Sequence, residues 1–302
     1  MHEGSQKAVV AALAANVGIA LSKFVGFFFT GAASMLAEAV HSLADCGNQA
    51  LLMFGGVQAE RAPTALHPFG YARERYFWAF IVALVIFLLG GSVAIYEGIE
   101  KLIHPHELSS PLIAVGILAV GVGLESWSFR TAIREANLLR GDRSWVEFIR
   151  GTKAAELPVI LLEDFGALIG LCFALIGIGL SVLMHEPRFD AMGSVAIGVL
   201  LVFIAAVLAT EMRSLLVGEA ASDEIIRKIE RALLEGGITR RVIHMRTSHL
   251  GPEELLVAAK LAFDETMQFA DVAREIDAAE ARVRAVVPIA RLIYIEPDVW
   301  RG

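Results

Sequence analysis

The chain has 302 residues, of which 56% are hydrophobic and only 20% are charged. A soluble domain of this length is rarely so apolar, so the composition indicates a polytopic membrane protein. The formal net charge of −7, with no basic stripe to offset it, argues against nucleic acid as a partner. Two cysteines, both inside apolar runs, do not indicate a disulfide framework.

Six apolar runs predict six membrane-spanning helices. In chain order they cover residues 8–29, 35–57, 77–96, 111–129, 157–184 and 189–217. The first run is too long for a cleavable signal peptide, so we expect it to insert and remain. The fold expected for residues 1–217 is therefore an all-α transmembrane bundle within a lipid bilayer.

Basic residues concentrate in the loops on one side of this predicted bundle. The loops after the second and fourth spans carry Arg61, Arg73, Arg75, Arg130, Arg134, Arg140, Arg143, Arg150 and Lys153. The opposite side offers little beyond Lys101 and Arg188. Lys and Arg accumulate in cytoplasmic loops, so both termini are expected to face the cytoplasm, as an even number of spans requires. We expect a multi-pass protein of a bacterial inner membrane.

The composition changes after Val217. Residues 222–235 have the pattern of an amphipathic helix with Ser222 as its N-cap, and residues 272–286 also predict a helix. Residues 242–248, 255–263 and 291–295 predict strands. The order helix–strand–strand–helix–strand predicts a small α+β domain of ferredoxin-like character over residues 218–302, on the cytoplasmic side.

The second span carries an unusual set of polar residues. An ionisable residue inside a spanning helix costs roughly 2.5–3.5 kcal/mol, so a function for it is expected. His41 and Asp45 are four residues apart and share one helix face. An imidazole and a carboxylate make half of a tetrahedral site for a divalent ion such as zinc, although a structural hydrogen-bonded pair is the alternative. Asn48, one turn further on, is a candidate to orient Asp45.

The fifth span supplies two acids to the same hypothesis. Asp164 is predicted to bind the ion together with His41 and Asp45, with a chelating carboxylate, water or Glu163 in the fourth position. Glu163 points about 100° away from Asp164 on a helix, so packing or proton handling is an equal alternative for it. The alternative for Asp164 is an ion pair with Lys23 or with an arginine near the membrane surface.

The distribution of polar residues also predicts how the helices are arranged. The first, second, fourth and fifth spans are expected to form the inner bundle, because polar groups in lipid must pair or line a wet cavity. The third and sixth spans contain almost no polar residue, so we expect them to be peripheral or packed on a partner. Lys23 is expected to snorkel toward the nearer membrane face.

Two motifs resemble a known family. Residues 30–45, TGAASMLAEAVHSLAD, and residues 67–74, HPFGYARE, are similar to segments of the cation diffusion facilitator family, of which the zinc transporters are a well-known branch. The six-span layout and the tail segments 245–248 and 295–297 also resemble the family, and LLED at 161–164 with NQ at 48–49 resembles its zinc transporter nine subgroup. The resemblance covers essentially the whole chain. It implies a homodimer that exports zinc or another divalent cation in exchange for protons by alternating access.

This sequence departs from the family pattern in the membrane and in one loop. The family usually carries His or Asp one turn before the fifth-span aspartate, where this chain has Ile160. A site of three protein ligands plus water, or one that uses Glu163, is therefore expected. Some relatives bind a second ion in the loop between the second and third spans. This chain has His67 at one position of that site but Thr64 and Tyr71 at others. We expect that loop to be metal-free.

The C-terminal domain departs as well. Some relatives bind zinc at its dimer interface, where this chain has Lys260, Tyr294 and Glu296. We do not expect that sensing role here.

The function predicted from these residues is that of a transporter with Zn²⁺ as substrate, not an enzyme. Protons are expected to compete with the metal for the same groups, with His41 as the coupling group because its ordinary pKa is nearest neutral. A transport-impaired structural or regulatory membrane protein of the same fold is the alternative, and Ile160 favours it. A third alternative is an intramembrane enzyme that uses Asp45 and Asp164 as an aspartyl pair. The sequence argues against it, because it contains no second catalytic motif.

Overall fold

A computed structural model describes residues 3–108, 110–237 and 239–301, with side chains from Val17 onward except at positions 86 and 89. The chain divides into two compact units. One contains the chain up to Val57 together with Phe77–Arg213, and the other contains Gln58–Tyr76 and the chain from Ser214 onward. The predicted domain boundary between residues 217 and 218 stays a prediction, because the second unit also includes a loop from the N-terminal half.

The first unit is built from long helices. They are α1 (Glu3–Thr30), α2 (Ala33–Ala59), α3 (Glu74–Ile81), α4 (Leu88–Ile103), α5 (Pro111–Arg140), α6 (Trp145–Gly151), α7 (Glu156–Met184) and α8 (Arg188–Val217). A π-helical segment, Val82–Phe87, joins α3 to α4 without a break. The third predicted span is therefore one continuous helix of 30 residues, Glu74–Ile103.

Within the described part of the chain, four helices are long and apolar enough to cross a membrane. They are Glu74–Ile103, Pro111–Arg140, Glu156–Met184 and Arg188–Val217. In α1 the described apolar stretch is Val17–Thr30, and α2 is not among the four. Length and composition thus agree with the last four of the six predicted spans, whereas spanning by α1 and α2 stays a prediction. The helices of the third and fourth spans extend beyond the predicted ends at 96 and 129.

The turn between α1 and α2 is held by an ion pair from two other helices. Gly31 has a φ of 60°, a left-handed conformation that favours glycine and ends α1. The Asp190 carboxylate of α8 accepts hydrogen bonds from the backbone N–H groups of Ala33 (2.8 Å) and Ser34 (3.3 Å), which are free donors of the first turn of α2. Asp190 also pairs with Lys101 of α4 at 3.0 Å. Both charged side chains are buried.

This ion pair corrects the prediction that the third and sixth spans contain almost no polar residue. The two helices also pack directly on each other through glycines. A Cβ at Gly198 of α8 would lie 2.7 Å from the Gly91 carbonyl oxygen of α4, and a Cβ at Gly98 would lie 2.9 Å from the Ala191 carbonyl oxygen. Small residues let two helix backbones approach in lipid, where dispersion contacts replace the hydrophobic effect. The sixth span is therefore fixed within its own chain.

The second unit is an α+β domain whose element order agrees with the prediction. The elements are α9 (Asp223–Leu234), β1 (Arg241–Gly251), β2 (Glu254–Phe263), α10 (Phe269–Val286) and β3 (Leu292–Val299). The Ser222 side chain accepts from the Ile225 N–H, as its predicted N-cap role requires. Strand β2 is central, antiparallel to β1 and parallel to β3.

Alternate residues of the strands and one face of each helix form the core of this unit. The fully buried members include Ile229, Leu233, Leu255, Val257, Leu261, Ala279 and Val283. The complete βαββαβ order of ferredoxin-like domains has one more strand before the first helix. Here that position is taken by the end of α8, so the similarity is limited to the αββαβ part.

Candidate metal site in the helical bundle

One face of α2 carries the polar residues that the sequence singles out. Glu38, His41, Asp45 and Asn48 are all buried, and they follow one another at intervals of three or four residues. This spacing places them along a single stripe of the helix. Together with the buried Ser42, they make α2 the most polar interior face among the described helices of the first unit.

His41 and Asp45 lie one turn apart on α2, with their side chains close together. Nδ1 of His41 lies 3.6 Å from Oδ1 of Asp45, which is too far for a hydrogen bond. Zinc binds nitrogen and carboxylate oxygen at roughly 2.0–2.2 Å, so one ion can bridge atoms at this separation. Both ring nitrogens of His41 and Oδ1 of Asp45 are buried without a hydrogen-bond partner. The two side chains thus form no hydrogen bond with each other, and whether they bind an ion or act as a structural pair stays a prediction.

Asp45 shares a small cavity with the two acids of α7. This cavity of about 50 Å³ has room for an ion or a few waters. It is lined by Ile19, Ser42, Asp45, Gln49, Leu124, Glu125, Ser128, Glu163 and Asp164. The Asp164 carboxylate accepts a hydrogen bond of 3.0 Å from the Ser128 hydroxyl of α5. The Glu163 carboxyl lies next to Asp45 and Asn48, although the amide of Asn48 makes no well-formed hydrogen bond.

The cavity concentrates acidic groups to a degree that the sequence pattern did not indicate. Asp45, Glu163 and Asp164 are joined there by Glu125 of α5, which the sequence analysis did not identify as a candidate ligand. The sequence feature that could have indicated this role of Glu125 is Ser128, which lies one turn later on the same face of α5. Buried carboxylates in close proximity repel one another unless a cation or protons neutralise them. The arrangement therefore suits binding of a cation.

The structure does not bring every predicted ligand together. His41 does not line the acidic cavity; its ring lies 6.2 Å from the ring of Phe87, at the end of the π-helical segment. Within residues 3–108, 110–237 and 239–301, no three His, Cys, Asp or Glu side chains are arranged to hold a metal ion. The ligand set therefore stays a prediction. Asp45 is the residue that belongs both to the His41–Asp45 pair and to the acidic cavity.

Two neighbours of the site are Lys23, which differs from expectation, and Ile160. Lys23 does not snorkel and does not pair with Asp164; its ammonium lies 3.0 Å from Oε2 of Glu38 and 2.7 Å from Oγ of Ser42. Ile160 is about a third exposed and lines a second cavity of about 380 Å³ beside Asp164. A side chain at position 160 thus has access to the region of the acids, but isoleucine offers no donor atom.

Lys260 lies between two acids at the edge formed by β2 and β3 in the C-terminal unit. Lys260 of β2 pairs with Glu296 at 2.9 Å and with Asp298 at 3.1 Å, both on β3. Hydrogen bonds to these two acids raise the pKa of Lys260. The Val299 N–H and then Lys260 hold the pKa of Asp298 below its usual range. An ammonium thus occupies this acidic edge.

The fold and the site together define an integral membrane protein in which long apolar helices enclose buried carboxylates suited to a cation. Residues 9–217 match the family described as the cation efflux transmembrane domain. The chain belongs to this cation efflux family. The match covers all six predicted spans and both helices that carry the candidate ligands.

Individual relatives extend the similarity into the C-terminal unit. The chain is 31% identical over 265 residues to the mitochondrial proton-coupled zinc antiporter SLC30A9 of Homo sapiens, covering 87% of this chain and 46% of that protein. It is 31% identical over 274 residues to metal tolerance protein C4 of Arabidopsis thaliana, covering 87% and 58%. It is 25% identical over 171 residues to zinc transporter ZitB of Pectobacterium atrosepticum, covering 55% and 49%. The chain thus spans about half the length of the curated relatives it matches.

Proposed function

We propose that this protein is a zinc/proton antiporter that exports the cation from the cytoplasm by alternating access. The observation that carries the proposal is the shared acidic cavity in which Asp45 of α2 meets Glu163 and Asp164 of α7. Membership of the cation efflux family supports cation transport as the activity. Relatives named as a proton-coupled zinc antiporter and a zinc transporter support zinc and protons as the substrates.

In this proposal His41, Asp45 and Asp164 bind the ion, and Glu163 or water completes four-coordination. Ionised carboxylates and a neutral imidazole are good zinc ligands and replace the hydration shell of the ion. The same lone pairs bind protons, so metal and protons compete for one site. His41 couples the two fluxes, because an imidazole changes charge nearest to neutral pH. Asn48 is proposed to orient the acids beside it.

The proposal includes a location and an assembly. The protein lies in a bacterial inner membrane. Both termini face the cytoplasm, since the arginine-rich loops follow the second and fourth spans. A bacterial protein among the relatives is consistent with this membrane. The active form is a homodimer, as the family resemblance implies. The molecular mass of the detergent-solubilised protein, measured by light scattering, tests the dimer, and cysteine accessibility in intact cells tests the orientation.

Transport in proteoliposomes tests the function. Purified protein is reconstituted around a zinc-sensitive dye, and a pH gradient is imposed. Asp45→Ala and Asp164→Ala are each expected to abolish pH-driven zinc uptake, while Asp142→Ala, which removes an exposed acid between α5 and α6, serves as the matched control. Undiminished uptake by the Asp45→Ala/Asp164→Ala double variant would refute the proposed site. Zinc binding without uptake by the wild type would instead support the transport-impaired alternative.

A further inference from the structure

Lys23 is a buried cation in the first predicted span, beside the face of α2 that carries the candidate ligands. Its side chain is 1% exposed, and its ammonium contacts Glu38 at 3.0 Å and Ser42 at 2.7 Å. Burying an ion pair costs several kcal/mol of desolvation per ion, so a buried pair by itself is weak evidence for a stabilising role. One carboxylate oxygen of Glu38, Oε1, has no hydrogen-bond partner.

Glu38 lies on the same stripe of α2 as the candidate ligands. It precedes His41 by three residues and Asp45 by seven, so its carboxylate faces the same side of the helix. Lys23 is close enough to interact electrostatically with His41, Asp45 and Glu125 as well. A carboxylate on this stripe is a natural additional ligand for a divalent ion. Lys23 is the group that neutralises it.

We propose that Lys23 withholds Glu38 from the transported ion and so keeps the metal affinity low enough for release. The inference rests on the proposed function. An ammonium at 3.0 Å neutralises the carboxylate and repels a divalent ion from its free oxygen. The affinity of a metal site rises with the number of charged ligands. A transporter must also release its ion, so a further carboxylate in the site favours binding over turnover. Lys23 is thus a positioning residue that tunes affinity through Glu38.

Zinc binding by the full-length purified protein tests this inference. Lys23→Met keeps the length of the side chain and removes its charge. It is expected to tighten zinc binding, measured by calorimetry with zinc chloride, by roughly tenfold or more, and to slow transport. Glu38→Gln alone is expected to weaken rather than tighten zinc binding, because it leaves the Lys23 ammonium without its counter-charge, and the Lys23→Met/Glu38→Gln double variant is expected to return to the wild-type affinity.

A purely structural role for the pair gives a different pattern. Lys23→Met then lowers the melting temperature but leaves zinc affinity and the zinc-induced rise in melting temperature unchanged, which would overturn the inference. Tighter binding that persists in the double variant would overturn it too. If Lys23→Met cannot be purified without metal, recovery of folded protein with zinc chloride but not magnesium chloride supports the inference, and failure with both overturns it. Absence of zinc binding by the wild type refutes the proposed function instead.

Discussion

Removal of the Asp190 carboxylate is expected to loosen the turn between α1 and α2. Asp190 accepts from the N–H groups of Ala33 and Ser34 and from the Ser34 hydroxyl, and it pairs with the buried Lys101. Asp190→Ala therefore leaves three hydrogen-bond donors without this acceptor and the Lys101 ammonium without its counter-charge, although the ammonium keeps its hydrogen bond to the Gly31 carbonyl oxygen. An unsatisfied buried donor costs about 1–3 kcal/mol. Loss of one partner from a buried ion pair costs about 3–5 kcal/mol.

The penalties overlap, because the donors share the two oxygens of one carboxylate. We therefore expect Asp190→Ala to lower the free energy of unfolding by about 3–5 kcal/mol, the range for a broken buried pair. Lys101→Met is expected to cost less, since the carboxylate keeps the N–H donors of α2. In the Asp190→Ala/Lys101→Met double variant the cost is expected to fall below the sum of the single costs, because no buried ammonium remains.

Chemical unfolding in detergent, monitored by tryptophan fluorescence, measures these values. Glu186→Ala is the matched control, because its carboxylate is partly exposed and lies just before α8. A cost for Asp190→Ala no larger than that of the control, or additivity of the two single changes, would show that the ion pair does not hold the turn.

Three further outcomes are expected from other parts of the chain. Gly198→Ala should destabilise by about 1–3 kcal/mol through overpacking of α4 and α8, whereas Gly123→Ala, with open space around it, should be tolerated; equal unfolding curves would contradict this. Ile160→Asp should tighten zinc binding in calorimetry by roughly tenfold, because it adds a donor beside the acidic cavity, and unchanged affinity would place position 160 outside the site. Lys260→Met should move the pKa of Asp298 back up toward its ordinary 3.8, measured by carboxyl NMR shifts. The lowered pKa of Asp298 favours the folded state above its ordinary pKa and loses that effect as the pH falls through the folded value, so Lys260→Met should weaken this acid dependence; an unmoved titration would contradict the pairing.

Local sequence features predicted the elements well. The apolar runs gave helices close to their observed positions, because length and hydrophobicity suffice to specify a spanning helix. The αββαβ order also followed from alternation, capping and glycines around Glu235. The predicted ends of the third and fourth spans were too early, because a helix does not have to end where its apolar stretch ends. Arg140 closes α5 well beyond the apolar part.

The site was only partly predictable from the sequence. The spacing of His41 and Asp45 sets their shared face, since both belong to one helix. The meeting of Asp45 with Asp164 depends on how α2 packs on α7, which the spacing of residues within one helix does not specify. Lys23 was expected to snorkel but is buried against Glu38 and Ser42, because a sequence does not show which acid a lysine faces after the helices pack.

Taken alone, the amino-acid sequence determined the membrane-like composition, the helices and the polar stripe of α2, all of which depend on neighbours within a few residues. Only the tertiary structure decided that Glu125 enters the acidic cavity and that Lys101 pairs with Asp190. These pairings join residues far apart in the chain through packing of separate helices. Their energies depend on distance and burial, which local spacing does not specify.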